Sequence, residues 1–314
     1  MPRSFNLTLL AWRIVPRLPA GLVGAVFHGI GVGAWAWRGK GVRQLERNLS
    51  RVRPQASRRQ VRRLGRRAMV AYMLYYAEVF HAASLTRDQV DARIRVKGLP
   101  ALKAAVERDT QPVLVLAHMG NWDYAGAWAS RALGVVTTVA ERLNPPELFE
   151  DFVRLRAQLG IEIVPADAGR AFRPLVRAIR SGVPGIVPLL ADRDLSRKGV
   201  EVTMFGTTAR VAAGPATLAR LTGTTLLPLA VYSERLTGGR RRAAGAKRGY
   251  VMDVLAEVHR RPDLDAAGEV QAMTQAWATA LSDSIAQHPT DWHMLQKVFV
   301  EDLDTAKDAQ IRGG

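Results

Sequence analysis

The chain has 314 residues, with 45 Lys and Arg against 28 Asp and Glu, a formal charge of +17, 48% hydrophobic residues and no cysteine. That apolar fraction excludes a disordered basic tail protein, and the missing cysteine excludes disulfide scaffolds, thiolate zinc or iron–sulfur sites and a cysteine nucleophile. The length suits one large α/β domain, or one core with an appendage. The charge implies a polyanionic partner: nucleic acid, an anionic membrane or a phosphorylated substrate.

The charge is local. Residues 38–67 hold twelve basic side chains against Glu46, and the segment 239–248 adds five more, whereas residues 249–314 carry five basic and eleven acidic side chains. Ahead of the basic block, Leu18 to Trp37 form a run of twenty uncharged residues, long enough to span hydrocarbon. The run contains five glycines, Pro19 and a central His28, all unfavourable in a lipid-exposed helix, and no small-residue cleavage site follows it. The favoured reading is a helix or helical hairpin lying in a membrane interface. Trp35 and Trp37 would then sit at headgroup depth, with Arg38, Arg43, Arg47, Arg58 and Arg62 on an anionic membrane surface. A true span, or a buried helix pair with a solvated arginine face, stays open. The basic block lacks an aromatic platform, zinc-finger spacing or an RNA-binding motif, so nucleic acid is not the expected partner.

The next predicted element is a helix over 60–85, where apolar and aromatic positions recur at helical spacing. From residue 112 onward, short apolar runs alternate with longer amphipathic ones. Strands are expected at Pro112–Ala117, Val135–Ala140, Ile161–Val164, Gly185–Leu190, Leu226–Tyr232 and Tyr250–Leu255. Helices are expected near 122–132, 146–158, 169–181, 213–222 and 267–287. This is the pattern of an α/β fold: a central, mostly parallel mixed sheet flanked by helices, preceded by an apolar and basic N-terminal helical region. The expected division is a membrane-associating helical region over 1–85, packed on an α/β core over 86–314. In such sheets, ligands sit beyond the carboxyl ends of the strands.

The clearest polar motif lies at such an end. In VLVLAHMGNWD (113–123) an apolar strand runs into His118, Gly120 permits a tight turn, and a helix begins near Asn121 or Trp122. Asp123, in the first helical turn, is expected to fold back and hold one imidazole nitrogen, leaving the other free to take a proton. With no serine nucleophile alongside, the chemistry this suggests is direct attack by a substrate hydroxyl that His118 deprotonates. The competing reading is a structural histidine followed by an aspartate that merely suits the helix start. The six histidines never adopt a metal-ligand spacing, so no metal is expected.

A second polar cluster follows another apolar strand, in GIVPLLADRDLSRKGVEV (185–202). Here Asp192 could support the base while Arg193 or Arg197 meets phosphate. Alternatively, Asp192 and Asp194 could form the metal site of a glycosyltransferase, or the cluster could be only a surface turn. A non-catalytic protein that binds anionic membranes is the remaining alternative. No phosphate-binding loop and no GxSxG serine motif is present.

HMGNWD, VAERLNPPELFEDFVRLRAQLG (139–160), LLADRDLSRKGVEVTMFG (189–206), AAGPATLA (212–219) and HPTDWHMLQ (288–296) together resemble the bacterial lauroyl/myristoyl-type lipid acyltransferase family. Within it, they most resemble the actinobacterial phosphatidylinositol mannoside acyltransferases. The resemblance covers roughly 90–300. It implies transfer of a long, palmitoyl-like acyl group from acyl-CoA to a mannose hydroxyl of a phosphatidylinositol mannoside or related glycolipid. The reaction would need no cofactor and would run on the cytoplasmic face of the inner (plasma) membrane. His118 matches the family base and Asp123 its relay carboxylate. Glu141 and Arg156 match positions on the acceptor side, and Gly120, Asn121, Trp122, Arg193 and Arg197 are expected to contact substrate. Asp192 stands where these enzymes show Glu. A carboxylate one methylene shorter could fall short of the imidazole, which would mean an altered geometry, an intervening water or a related member with a different glycolipid acceptor.

Overall fold

The computed structural model describes residues 14–142, 146–166, 171–194 and 199–303. Three helices come first: α1 (Ala20–Trp37), α2 (Lys40–Val52) and α3 (Arg58–His81). A short α4 (Arg87–Arg93) leads into β1 (Ile94–Lys97), and α5 (Leu99–Asp109) crosses to β2 (Val113–Leu116). Helices and strands then alternate through α6 (Trp122–Ala132), β3 (Val135–Ala140), α7 (Pro146–Gln158), β4 (Ile161–Pro165), α8 (Phe172–Ile179) and β5 (Gly185–Leu190). A hairpin, β6 (Val200–Met204) and β7 (Thr207–Val211), precedes α9 (Gly214–Thr222) and β8 (Leu226–Arg235). The order closes with α10 (Gly238–Ala244), β9 (Arg248–Val254) and α11 (Ala266–Gln287).

Seven strands form one sheet in the order β1-β9-β8-β2-β5-β3-β4, and within it only the β8–β9 pairing is antiparallel. The central strands are apolar throughout because both faces are covered. Val113 and Val115 of β2 pack on the side of α9 and α11, with Leu218, Trp277 and Leu281. Leu114 and Leu116 pack on the other side, with Tyr124, Ala125 and Ala129 of α6 and with Tyr75 and Val79 of α3. The period-two alternation therefore divides one strand between two cores.

The N-terminal helices are built onto this core. A Ser57–Gln60 capping box starts α3, satisfying two of the helix's orphan donors. α1 lies along α3, and a Cβ on Gly31 would stand 2.9 Å from Val70 Cα, so glycine is what permits the close approach. Val23 is buried in this seam, and the Phe27 and Phe80 rings meet at 5.8 Å. The outer face of α1 is bare: Leu22 is 54% exposed, Val26 51%, Ile30 47% and Trp37 89%. By length and composition α1 is apolar enough to cross a membrane. α2 is amphipathic, with Leu45 and Leu49 buried and Arg43 and Arg47 exposed, as are Arg58 and Arg62 of α3.

Trp35 and Arg38 are half-buried and paired within the protein. The Trp35 indole donates to Glu46 at 3.2 Å, Arg38 pairs with Glu46 at 3.2 Å, and the Arg62 guanidinium lies 5.2 Å from the Trp35 ring centre. Glu46 is the one acid of the basic block, and by accepting from Trp35 and Arg38 it fastens α1 to α2, while Arg62 of α3 stacks on the same indole.

Candidate active site

β2 and β5 are parallel neighbours with Leu116 opposite Leu190. His118 and Asp192 each lie two residues beyond that matched pair, so the register alone brings them face to face at the carboxyl edge of the sheet. The imidazole Nδ1 lies 2.6 Å from Asp192 Oδ1. The other carboxylate oxygen, Oδ2, accepts the His118 backbone N–H at 3.0 Å and the Trp292 indole N–H at 2.7 Å. Asp192 is completely buried, while the His118 side chain is 30% exposed. Burial alone would raise the Asp192 carboxyl, but the facing His118, reinforced by the Trp292 and backbone hydrogen bonds, holds it below the usual carboxylate range. An ionised Asp192 keeps the proton of neutral His118 on Nδ1, which leaves the Nε2 lone pair available.

The carboxylate that meets the imidazole is thus Asp192, in direct contact despite its short side chain, and not Asp123. Asp123 is the first acidic residue of α6, and it turns inward beneath α3 and α7. Its Oδ1 accepts from Arg156 Nε at 2.7 Å and its Oδ2 from the Tyr75 hydroxyl at 2.7 Å. Burial works against the charge on Arg156, yet the Asp123 carboxylate outweighs it and the guanidinium is raised. Burial, with the Asp123 charge next, pushes the Tyr75 hydroxyl well above the tyrosine range, so it stays a donor. Asp123 thereby ties α6, α7 and α3 together under the turn that carries His118. Asp123→Ala strands the buried Arg156 and is expected to cost about 3–5 kcal/mol of stability. Urea unfolding measures this, and a loss below about 1 kcal/mol would contradict the placement.

The turn itself is held by its neighbours. Gly120 has φ +65°, and a Cβ there would fall 2.2 Å from the Val231 carbonyl oxygen, so only glycine fits. Asn121 caps α6 through the Tyr124 N–H at 3.0 Å and donates to Glu78 of α3 at 3.0 Å. The Trp122 ring stands edge-on to His118 at 5.9 Å and lies 4.5 Å from Tyr75. Trp122 and Arg156 also head an apolar crevice between the sheet and α6–α7, lined by Leu116, Ile161, Pro188 and Leu190. At the rim, Arg193 pairs with Glu141 at 3.1 Å, while Arg197 lies outside the described residues.

Two participants were not assigned a role from sequence: Trp292 and His293, carried by the segment after α11. Met119 and Trp292 form an antiparallel bridge, Gly120 N–H donates to the Asp291 carbonyl at 2.9 Å, and His293 N–H donates to the His118 carbonyl at 2.8 Å. His293 Nε2 also meets the Gly120 carbonyl at 3.1 Å. The WH pair inside HPTDWHMLQ was their only signal. Burial, then the Arg248 charge, pushes His293 down to about 3 from an ordinary 6.5. The unfolded chain therefore binds a proton below about 6.5 that the folded protein refuses, so this group costs stability as the pH falls. Wild type should lose about 1.4 kcal/mol per pH unit more than His293→Gln between pH 6 and 4. Urea midpoints across that range read the difference, and parallel slopes would contradict it.

Asp194 does not join Asp192 as a metal pair. Its Oδ2 accepts the Gly199 N–H at 2.8 Å, while both Asp192 oxygens are engaged as described. Among the described residues no group of three His, Asp or Glu side chains is placed to hold a metal ion.

A buried carboxylate, a partly open imidazole and an apolar crevice at the strand ends suit acyl transfer to a hydroxyl. The sequence profile of the bacterial lipid A biosynthesis acyltransferases matches residues 1–301. The chain belongs to that family and is an acyltransferase. It is 36% identical over 304 residues to the phosphatidylinositol mannoside acyltransferase of Mycolicibacterium smegmatis, covering 96% of this chain and 92% of the relative. The protein of the same name from Mycobacterium tuberculosis is 36% identical over 306 residues, covering 96% and 90% of the two chains.

Proposed function

We propose that the protein transfers a long, palmitoyl-like acyl group from acyl-CoA to a mannose hydroxyl of a phosphatidylinositol mannoside, with His118 as general base. The observation that carries this reading is the His118–Asp192 pair at the carboxyl ends of β2 and β5. His118 Nε2 takes the hydroxyl proton as the sugar oxygen attacks the thioester carbonyl carbon. The C–S bond then breaks, and the imidazolium returns its proton to the departing CoA sulfur. Asp192 steadies the imidazolium and does not itself accept the proton. This sequence needs neither a cysteine or serine nucleophile nor a cofactor.

The crevice at Trp122 is the place for the acyl chain. It encloses about 50 Å³ as it stands, so a long chain must part the walls between the sheet and α6–α7. The names of the two mycobacterial relatives support the mannoside acceptor. The bare stripe of Leu22, Val26, Ile30 and Trp37 supports peripheral attachment through α1, with the exposed arginines of α2 and α3 on anionic lipid. We place the enzyme on the cytoplasmic face of the plasma membrane.

The test is mass spectrometry of the lipids after the protein is incubated with palmitoyl-CoA and purified phosphatidylinositol mannosides. The expected product is a mannoside heavier by one palmitoyl group. Hydrolysis of the thioester with no acylated lipid would overturn the reading.

A further inference from the structure

The second basic segment, 239–248, has no part in the chemistry above, yet it forms one wall of a large open cavity. α10 and the start of β9 face the N-terminal half of α1 across a space of about 1150 Å³, floored by α3. Arg93, Arg241, Arg242, Lys247 and Arg248 line it, and Glu78 is the one carboxylate among its lining residues.

These cations differ in how they are engaged. Arg93 spends its guanidinium on the Ala244 carbonyl and the Tyr124 hydroxyl. Arg241, Arg242 and Lys247 are exposed and make no ion pair with any described residue. Arg248 is nearly enclosed: one terminal nitrogen reaches Asp291 at 3.3 Å, but its Nε–H is buried without a partner. A buried donor left unmatched costs on the order of 1–3 kcal/mol, so such a group marks a place where an acceptor belongs. The opposite wall is apolar and nearly bare. Ala20, Gly21 and Gly24 of α1 form it, continued onto the floor by Leu74 and Ala77 of α3, and a Cβ on Gly21 or Gly24 would meet nothing within 4 Å.

We propose that this cavity binds the phosphodiester of a phospholipid headgroup, with Arg241, Arg242, Lys247 and Arg248 on the phosphate and the glyceride portion against α1. A ligand with an anionic centre and an apolar flank matches the two walls. The phosphates of CoA, flanked by adenosine on one side and pantetheine on the other, match only the basic one. The cavity adjoins the catalytic turn through Glu78, which accepts from Asn121 three residues beyond His118. The inference deepens the function proposed above, whose acceptor is a phosphodiester lipid, and it is tested by binding, so the result does not depend on turnover.

The full-length protein is titrated calorimetrically at physiological salt with dihexanoyl phosphatidylinositol below its micelle concentration, and separately with coenzyme A. The same titrations are run on the triple variant Arg241→Ala, Arg242→Ala, Lys247→Ala, whose altered side chains are all exposed and therefore compatible with folding. The expected result is a roughly tenfold or greater weakening for the phosphatidylinositol probe with coenzyme A affinity unchanged. Four results would overturn the proposal: no phosphatidylinositol binding by the wild type, no change in the variant, a loss confined to coenzyme A, or an equal loss for both probes.

Discussion

Replacing His118 by alanine is expected to lower kcat by roughly 10²–10⁴-fold, the range for removing a general base, with little change in KM. The imidazole is partly exposed, and its side chain bonds only to Asp192 among the described residues, so its loss should leave the fold in place. The backbone bonds that shape the turn, from His118 N–H to Asp192 and from His293 N–H to the His118 carbonyl, survive the substitution. Steady-state transfer from labelled palmitoyl-CoA, with a thermal melt as a control on folding, separates the two effects. Turnover within tenfold of wild type in a folded His118→Ala protein would rule out the imidazole as base.

Asp192→Asn is expected to have the second largest effect, through the tautomer it imposes. Asp192 Oδ2 takes two N–H donors, from His118 and Trp292, while Oδ1 faces the imidazole. An asparagine must keep its carbonyl oxygen where the two donors converge, since an NH₂ group there would face both. Its NH₂ then points at Nδ1 and makes that nitrogen an acceptor, which moves the imidazole proton to Nε2. The base is blocked although the atoms barely move. The same substitution in a serine-protease triad lowers kcat by about 10⁴-fold, and roughly 10²–10⁴-fold is expected here. Because the amide keeps the two bonds to its carbonyl oxygen and only reverses the third, exchanging charge-assisted bonds for neutral ones, stability should fall by only about 1–2 kcal/mol. Kinetics and urea unfolding of the one variant measure both. A small kinetic effect with a large stability loss would make Asp192 a structural group alone.

The sheet was legible in the sequence because its central strands are apolar on both faces. β3 and β5 match the expected bounds, and α6 and α7 match theirs. Elements with a weaker signature escaped. β1 is four residues long with two charges, and the β6–β7 hairpin turns on Phe205 and Gly206, which both have positive φ. α10 reads as a run of arginines between glycines, so its charge was visible and its helix was not.

At the site, His118 and a supporting role for Asp192 were both legible from their places at the ends of buried strands, but which carboxylate meets the ring directly was not. Asp123 is close in sequence and on a helix, which made it the natural choice. Asp192 is 74 residues away and reaches the ring because β5 pairs with β2, a non-local fact that no local pattern carries. The same reason hid Trp292 and His293, which touch the turn directly although His293 lies 173 residues beyond Gly120 in the chain.

If the His118–Asp192 pair promotes direct transfer, no covalent acyl-enzyme forms on the path. The measurement that tests it most directly is a quenched single-turnover reaction with palmitoyl-CoA and purified phosphatidylinositol mannosides, followed by intact mass of the protein and of the lipid at each time. The acyl group should pass to the lipid while the protein mass never changes, and with His118→Ala the product should form roughly 10²–10⁴-fold more slowly with no adduct. An acylated protein accumulating before the lipid product, or in the absence of acceptor, would contradict it.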